Sequence, residues 1–348
     1  MYLKIGKKTI SEKNKPFVIA EIGVNHNGRY SIAKKLIDKA ISCGADCVKF
    51  QTFSAKTVAT KKTMLASYQK KNKVKENNQF DMLKKLELTK NDFRKLFNYC
   101  KKKKIEFLST PVSFEDVDFL NNLGVKAFKL SSMHASEPEF IKYVASKKKP
   151  IFASTGMCTI DEVKNMVKIF KRIRNNKICL LQCTSSYPSK IEESNINVLK
   201  EYKKFKYVLG YSDHTLKDIS AVTALALGAR VFEKHFTLNK KMNGPDHRAS
   251  LDPIGLKKYI EKIRLAEKSL GSSLKKPTNE EENTRIIARR SLSLAKNIKK
   301  GEKIKLKHIK FIRPATGIKV KYLRSVLNKK VKKNLKINEF IQWSHLIV

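Results

Sequence analysis

Acidic residues are scarce in this chain. It carries 31 Asp and Glu against 75 Lys and Arg in 348 residues, a formal net charge of +44. An excess of that size raises the possibility of a nucleic-acid-binding surface. The cations argue for something milder. They are mostly lysine, spread almost everywhere, with KKKK at 101–104 and KKK at 147–149. Arginines are few, and no arginine/aromatic stripe or RNA-binding signature is present. Lysine-rich solvated faces are the expected reading, and no specific nucleic acid is expected as a partner. The field would still draw in anionic substrates and give salt-dependent binding to polyanions. Paired cysteine motifs are also missing. Cys43, Cys47, Cys100, Cys158, Cys179 and Cys183 form no C-x-x-C, and several lie in apolar runs. They read as small buried thiols in a reducing compartment, not as disulfides or a thiolate metal site. The segment MYLKIGKKTI has no apolar stretch of signal-peptide type, and no run approaches roughly 18 apolar residues. A cytoplasmic protein that does not enter membranes is expected.

What is present is a regular alternation. Short β-type apolar runs recur at FVIAEI (17–22), DCVKF (46–50), IEFLS (105–109), KAFKLS (126–131), PIFAS (150–154), KICLLQC (177–183), YVLGYS (207–212) and RVFEKHF (230–236). Between them lie segments with apolar residues at three- and four-residue steps, clearest at 31–44, 91–103, 159–173 and 220–229. Ser31, Thr89, Ser113, Thr159 and Asp252 with Pro253 read as helix starts. Near-continuous apolar strands suit a parallel sheet covered on both faces. Eight strand–helix alternations predict a (β/α)8 barrel over residues 1–272. A doubly wound open sheet is the alternative, but no G-x-G-x-x-G turn follows FVIAEI. A polar linker over 273–287 and a small basic domain of short strands over 288–348 complete the chain.

Barrel active sites sit at the C-terminal ends of the strands. Those ends carry, in order, Glu21; Lys49 and Gln51; Thr110; Lys129, Ser131 and Ser132; Ser154 and Thr155; Gln182 and Thr184; Ser212, Asp213 and His214; Glu233 and His235. Eight polar ends converging on one mouth describe a pocket. His214 and His235 end adjacent strands and could share one metal ion through neutral imidazoles, leaving open positions on it. In VFEKHFT, Glu233 and His235 share a face, and Lys234 takes the other. Lys49 and Lys129, with Thr110, Ser132, Ser154 and Ser212, suit a phosphate or carboxylate. Lys129 could instead form a Schiff base. From the residues alone, a metal-assisted reaction on a small anionic substrate is expected.

The ordered set AEIGVNHNG, GADCVKFQTF, FLSTP, FKLSS, STGM, QCTSSYP, GYSDHT, EKHFTL and GPDHRASL resembles the sialic acid synthase family, as does DMLKKLELT at 81–89. RRSLSLAKNIKKGEKIKLKHIKFIRPATGI (289–318) looks like the antifreeze-like (SAF) domain that follows the barrel in that family. The resemblance implies an enzyme that condenses phosphoenolpyruvate with an N-acetylated amino sugar to a nine-carbon 2-keto acid, releasing phosphate. It implies a divalent ion, Mn2+ or Mg2+, on His214 and His235. Lys49, Thr110, Lys129, Ser132, Ser154, Ser185 and Ser212 match positions that hold phosphoenolpyruvate. Glu21, Gln51, Tyr187 and Asp246 match positions around the sugar, Glu21 as a candidate for proton transfer beside Glu233. Arg313 matches an arginine that reaches the neighbouring subunit's site, which implies a domain-swapped homodimer.

Two segments depart from the family pattern. Met133 and His134 stand where many members carry Gly and Glu, and Lys190 replaces a second proline. The phosphoenolpyruvate half is thus better kept than the sugar half. The GPDH and LEL segments lean toward N-acetylneuraminate or legionaminate synthases over pseudaminate ones. Another metal-dependent barrel aldolase or lyase, and more remotely a polyanion-binding protein, are the competing readings.

Overall fold

The computed structural model describes residues 1–66, 69, 70, 72 and 74–347. The chain divides into two compact units, Met1–Gly271 and Ser272–Val348.

The first unit opens with a hairpin, β1 (Tyr2–Ile5) and β2 (Lys8–Ser11), which pair antiparallel. The eight expected strands follow as β3 (Phe17–Gly23), β4 (Cys47–Thr52), β5 (Glu106–Pro111), β6 (Phe128–Leu130), β7 (Ile151–Ser154), β8 (Ile178–Cys183), β9 (Val208–Asp213) and β10 (Ala229–His235). They form one sheet in the order β5-β4-β3-β10-β9-β8-β7-β6, and each ladder in it is parallel. β5 and β6, the ends of that series, lie side by side and complete a nearly closed barrel. Most of these strands are buried along their whole length, because one face lines the barrel and the other meets helices. That double burial is why the sequence shows continuous apolar runs and not alternation.

Helices fill the crossovers where the three- and four-residue spacing put them. Thr89, Ser113 and Thr159 each cap a helix with a reciprocal bond to an acidic residue three positions on. Asp252 caps Pro253–Leu270. Ser31 does not start its helix. The helix runs Tyr30–Ser42, and Arg29 occupies the capping position without a side-chain bond.

The N-terminal hairpin went unread in the sequence. Leu3, Ile5 and Ile10 turn inward against Phe17, Ile19, Cys47, Leu108, Phe152 and Val231, which line the barrel toward the N-terminal ends of the strands. The hairpin therefore plugs the bottom of the barrel and leaves the opposite end as the mouth. Gly6 makes the turn at φ 55°, where a Cβ would also strike the Glu106 carboxylate.

In the second unit, the stretch read as a polar linker carries a helix, Asn279–Ala288, capped by Thr278 and Glu281. Then β11 (Ser291–Leu294) pairs antiparallel with β12 (Ile309–Ile312). Leu292, Leu294, Ile304, Ile341 and their neighbours form a separate core.

Ile5→Ala leaves a hole in the plug and should destabilise the barrel by about 2–5 kcal/mol. The exposed Tyr2→Ala in the same hairpin should change stability by less than about 0.5 kcal/mol. Urea unfolding followed by circular dichroism distinguishes the two.

Candidate active site

At the mouth, four ionisable side chains from four strands meet out of water. Lys49 on β4 lies 3.0 Å from Glu21 on β3 and 3.7 Å from Glu233 on β10. Lys129 on β6 lies 3.7 Å from the other oxygen of Glu233. All four side chains are at most 5% exposed. Strand register sets Glu21 opposite Lys49 on one side and His235 on the other. Hydroxyls and an amide complete the set. Lys49 donates to Thr110 (3.3 Å), Lys129 to Ser154 (2.6 Å), Ser212 to Glu233 (2.9 Å) and Gln51 to Glu21 (3.1 Å).

Their charges are set by that company. Burial pushes the Glu21 carboxyl up to about 7, although Lys49 pulls the other way. Burial also opposes ionisation of Glu233, but Lys129 and Lys49 overcome it and hold the carboxyl below its ordinary value. Burial lowers the Lys129 ammonium. Lys49 is raised: burial works against its charge, and Glu21 and Glu233 more than compensate. Two neighbouring carboxyls thus differ, one poised near neutrality and one ionised, a combination that marks acid–base sites.

Near the charges, side chains close in on a glycine. Gly156, just beyond β7, donates its N–H to Ser132 (2.9 Å). A Cβ at Gly156 would fall 2.3 Å from Ser185 Oγ and 2.9 Å from both Ser132 Oγ and Cys183 Sγ. Two hydroxyls, a thiol and a backbone amide therefore line a cradle that only glycine leaves open. The sequence had Ser132 and Ser185 but missed Gly156. The glycine of STGM was its one signal.

His214 and His235 lie together, ring centroids 5.5 Å apart. Tyr187 packs on both, at 4.2 Å from His214 and 5.4 Å from His235. Burial lowers His214 to about 4 and His235 well below its usual value, so both rings are neutral. His214 Nδ1–H donates to the Thr184 carbonyl (2.6 Å), which leaves Nε2 with its lone pair. His235 Nδ1 is buried with no hydrogen-bond partner among the described residues. Two neutral nitrogens, one of them unpartnered, fit an open metal site. Among the described residues no cluster of three or more His, Cys, Asp or Glu forms a fuller one.

Gln51, Tyr187, His235 and Asp246 border a cavity of about 120 Å³, closed on its far side by Val24, Met82, Leu83 and Leu86. Burial raises Asp246 there to about 6. A wider groove of about 820 Å³ runs beside the mouth, sharing Cys183 and Ser185 with the cradle but none of the four charged side chains. Of the two departures from the family pattern, His134 is buried, bonded to Glu137 (2.8 Å) and packed on Phe140, and Met133 is exposed. Arg313 lies in the C-terminal unit, on the segment after β12, and is exposed.

The loops above β3 and β10 are stitched together. Asn25 donates to the Phe236 carbonyl and to Ser250, and Asn27 to the Asn243 carbonyl. His247 bridges Thr237 and Asn27. His26 stacks on Phe50 and accepts the Gly28 N–H.

A family model described as the NeuB family matches residues 36–275, and one described as the SAF domain matches 289–347. An N,N'-diacetyllegionaminic acid synthase of Campylobacter jejuni is 41% identical over 331 residues, 94% of this chain and 99% of the relative. A protein of the same name from Legionella pneumophila is 39% identical over 335 residues, 95% and 94% of the two chains. The crystal structure of an N-acetylneuraminic acid synthetase from Leptospira borgpetersenii, in complex with citrate, superposes with a TM-score of 0.74 at 27% identity, covering 82% of this chain and 95% of that one.

Burial lowers His26 to about 4. Above the unfolded value of about 6.5 the ring is neutral in both states and has no effect. As pH falls from there to about 4, the unfolded chain takes up a proton that the folded chain refuses. The fold should lose about 3 kcal/mol across that window through this group. Urea midpoints at pH 7 and pH 4.5 should differ less in His26→Gln than in the wild type.

Proposed function

The chain belongs to the NeuB family, and from that premise we propose that this enzyme joins phosphoenolpyruvate to an N-acetylated amino sugar, giving a nine-carbon 2-keto acid and phosphate. The observation that carries the reading is the pairing of a buried two-lysine site with the open Gly156 cradle. Lys49, Lys129, Thr110, Ser154 and Ser212 supply cations and hydroxyls for a carboxylate and an enol phosphate. Ser132 and Ser185, on either side of Gly156, give a phosphate further oxygen partners.

The chemistry follows from what surrounds that anion. C3 of phosphoenolpyruvate attacks the aldehyde carbon of the open-chain sugar, and the aldehyde oxygen takes a proton. Water then adds at C2, and the tetrahedral intermediate expels phosphate by C–O cleavage, leaving the keto group. Glu21, about half protonated near neutrality, is the group suited to give the first proton and take one from the water. Glu233 stays ionised between the two ammoniums and offsets positive charge that develops at C2. His214 and His235 are the residues that would hold a divalent ion, manganese or magnesium, which when bound supplies a Lewis acid for a carbonyl oxygen.

The acceptor is read as a 2,4-diacetamido-trideoxyhexose in preference to N-acetylmannosamine. The two relatives named for diacetyllegionaminic acid support this, and so does the small cavity. Gln51, Tyr187 and Asp246 offer polar partners, and the wall of Val24, Met82 and Leu86 suits a methyl or acetyl group better than a hydroxyl. Arg313 is read as the arginine that a second copy of the chain contributes to the sugar, in a domain-swapped homodimer.

The test is phosphate release from phosphoenolpyruvate. It should require both a divalent ion and an acetamido sugar, with the diacetamido compound turned over faster than N-acetylmannosamine. No release with either sugar overturns the proposal, and borohydride trapping of substrate on Lys129 would point to a Schiff-base aldolase. Gly156→Ala should melt near the wild-type temperature yet raise the KM for phosphoenolpyruvate by about 10-fold or more, a loss on the order of 1.4 kcal/mol. Arg313→Ala should impair sugar use more than phosphoenolpyruvate binding in the same assay.

A further inference from the structure

β9 and β10 carry a second pair of charges that no step above uses. Asp213 and Lys234 are register partners on adjacent strands. Alternation turns them away from the mouth, toward the outer helices, while Ser212, Glu233 and His235 turn inward. The pair is fully buried. Lys234 Nζ lies 3.0 Å from Asp213 Oδ2, with the two side chains 1% and 0% exposed, and 5.3 Å from the centre of the Tyr259 ring.

Both partners also hold the same short piece of backbone. Asp213 Oδ1 accepts from the Thr215 N–H (2.9 Å) and from its hydroxyl (2.8 Å). Lys234 donates to the Thr215 carbonyl. Thr215 is thereby gripped at its amide and its carbonyl, and the residue enclosed between Asp213 and Thr215 is His214. On the other side, the His214 carbonyl accepts the Ser189 N–H (2.9 Å), and the ring donates to the Thr184 carbonyl.

Stability alone does not account for this pair. A buried ion pair is often no better than an apolar pair of the same volume, because desolvating the two charges offsets their attraction. An apolar pair here, however, would leave the Thr215 backbone ungripped. What the charges provide is direction: they fix the turn from which His214 projects, and Lys234 also pins the strand between Glu233 and His235.

We propose that Asp213 and Lys234 are positioning residues that hold His214 and His235 so that His214 Nε2, which Ser212 approaches at 3.4 Å, and the unpartnered His235 Nδ1 face a single ion, an inference that rests on the metal-assisted reading above. Outer-shell groups of this kind typically change metal affinity by about 10–100-fold when removed.

The experiment uses the full chain with Asp213→Leu and Lys234→Met together, so that no lone buried charge remains. Mn2+ affinity is measured without substrates, by electron paramagnetic resonance of the free ion. The tautomer of His214 is read from 15N-imidazole resonances without metal. In the wild type the ring should show the Nδ1–H form alone. In the double variant it should become a mixture, Mn2+ should bind about 10–100-fold more weakly, and kcat should fall with the phosphoenolpyruvate KM within about 3-fold. A folded double variant with the wild-type tautomer and Mn2+ affinity overturns the inference. If the double variant does not fold, Asp213→Asn with Lys234→Met carries the test, since the amide oxygen can still accept from Thr215, no lone charge is buried and the carbonyl side of Thr215 is freed; unchanged tautomer and affinity there overturn it equally. A wild type that binds neither Mn2+ nor Mg2+ overturns the metal-assisted reading and this inference with it, whereas a wild type and folded variants that bind Mn2+ equally overturn the inference alone.

Discussion

The site depends on one electrostatic constraint: Lys49, Lys129, Glu21 and Glu233 are all held out of water, so each charge must be answered by another within a few ångströms. An isolated buried ion would shift its pKa and neutralise. Here the answer comes from across the barrel, because the four residues belong to four different strands. Only a closed parallel cylinder brings β3, β4, β6 and β10 to one mouth. The hairpin that seals the opposite end keeps the lower barrel dry and packed, which gives the strands a fixed register. Fold and chemistry are thus coupled through a single requirement, that two cations and two carboxyls stay paired at the mouth.

The parts of this arrangement that were legible in the sequence are those written as local pattern. β3 to β10 were readable because burial on both faces produces continuous apolar runs. The residues at their ends were readable because strand ends of a barrel share one mouth, whatever their distance along the chain. The hairpin was not. Its inward positions Leu3, Ile5 and Ile10 are three apolar residues among lysines, and only contact with the barrel floor gives them meaning. The helix Asn279–Ala288 was missed for a related reason. It buries none of its residues, so it shows no apolar period, although Thr278 and Glu281 carried the capping signal. Ser31 erred in the other direction: a good capping residue lay one position inside a helix that begins without a side-chain cap.

Within the site, function carried by presence was easier to read than function carried by absence or by direction. Lys49, Glu233 and His235 announce themselves by chemistry. Gly156 matters for the atoms it lacks, and no spacing rule reveals how closely Ser132 and Ser185 approach it. Asp213 was visible at a strand end, but whether it faced the mouth or the helices depended on the register of two strands far apart in sequence. The EKH triplet of β10 shows both cases in three residues. Glu233 and His235 serve the mouth, and Lys234 serves the turn that carries His214.

The pKa difference between Glu21 and Glu233 also gives the site a sense of order. In the absence of substrate the two lysines and the ionised Glu233 leave Glu21 as the balancing group, near half protonation at neutral pH. Bringing a carboxylate and a phosphate against Lys49 and Lys129 adds negative charge within a few ångströms of Glu21. Like charge disfavours its ionised form, so in the proposed complex its pKa rises further. In the proposed reaction, the anion held by the lysines thus favours the protonated form of the acid. Giving its proton to the aldehyde oxygen leaves Glu21 ionised, and it can then accept one from the water that adds at C2 before phosphate departs. One carboxyl can therefore act as acid in the first half of the reaction and as base in the second. Glu233 cannot take this part, because it is held ionised by two ammoniums throughout. The asymmetry rests on geometry alone: Glu21 has one lysine within reach, and Glu233 has two.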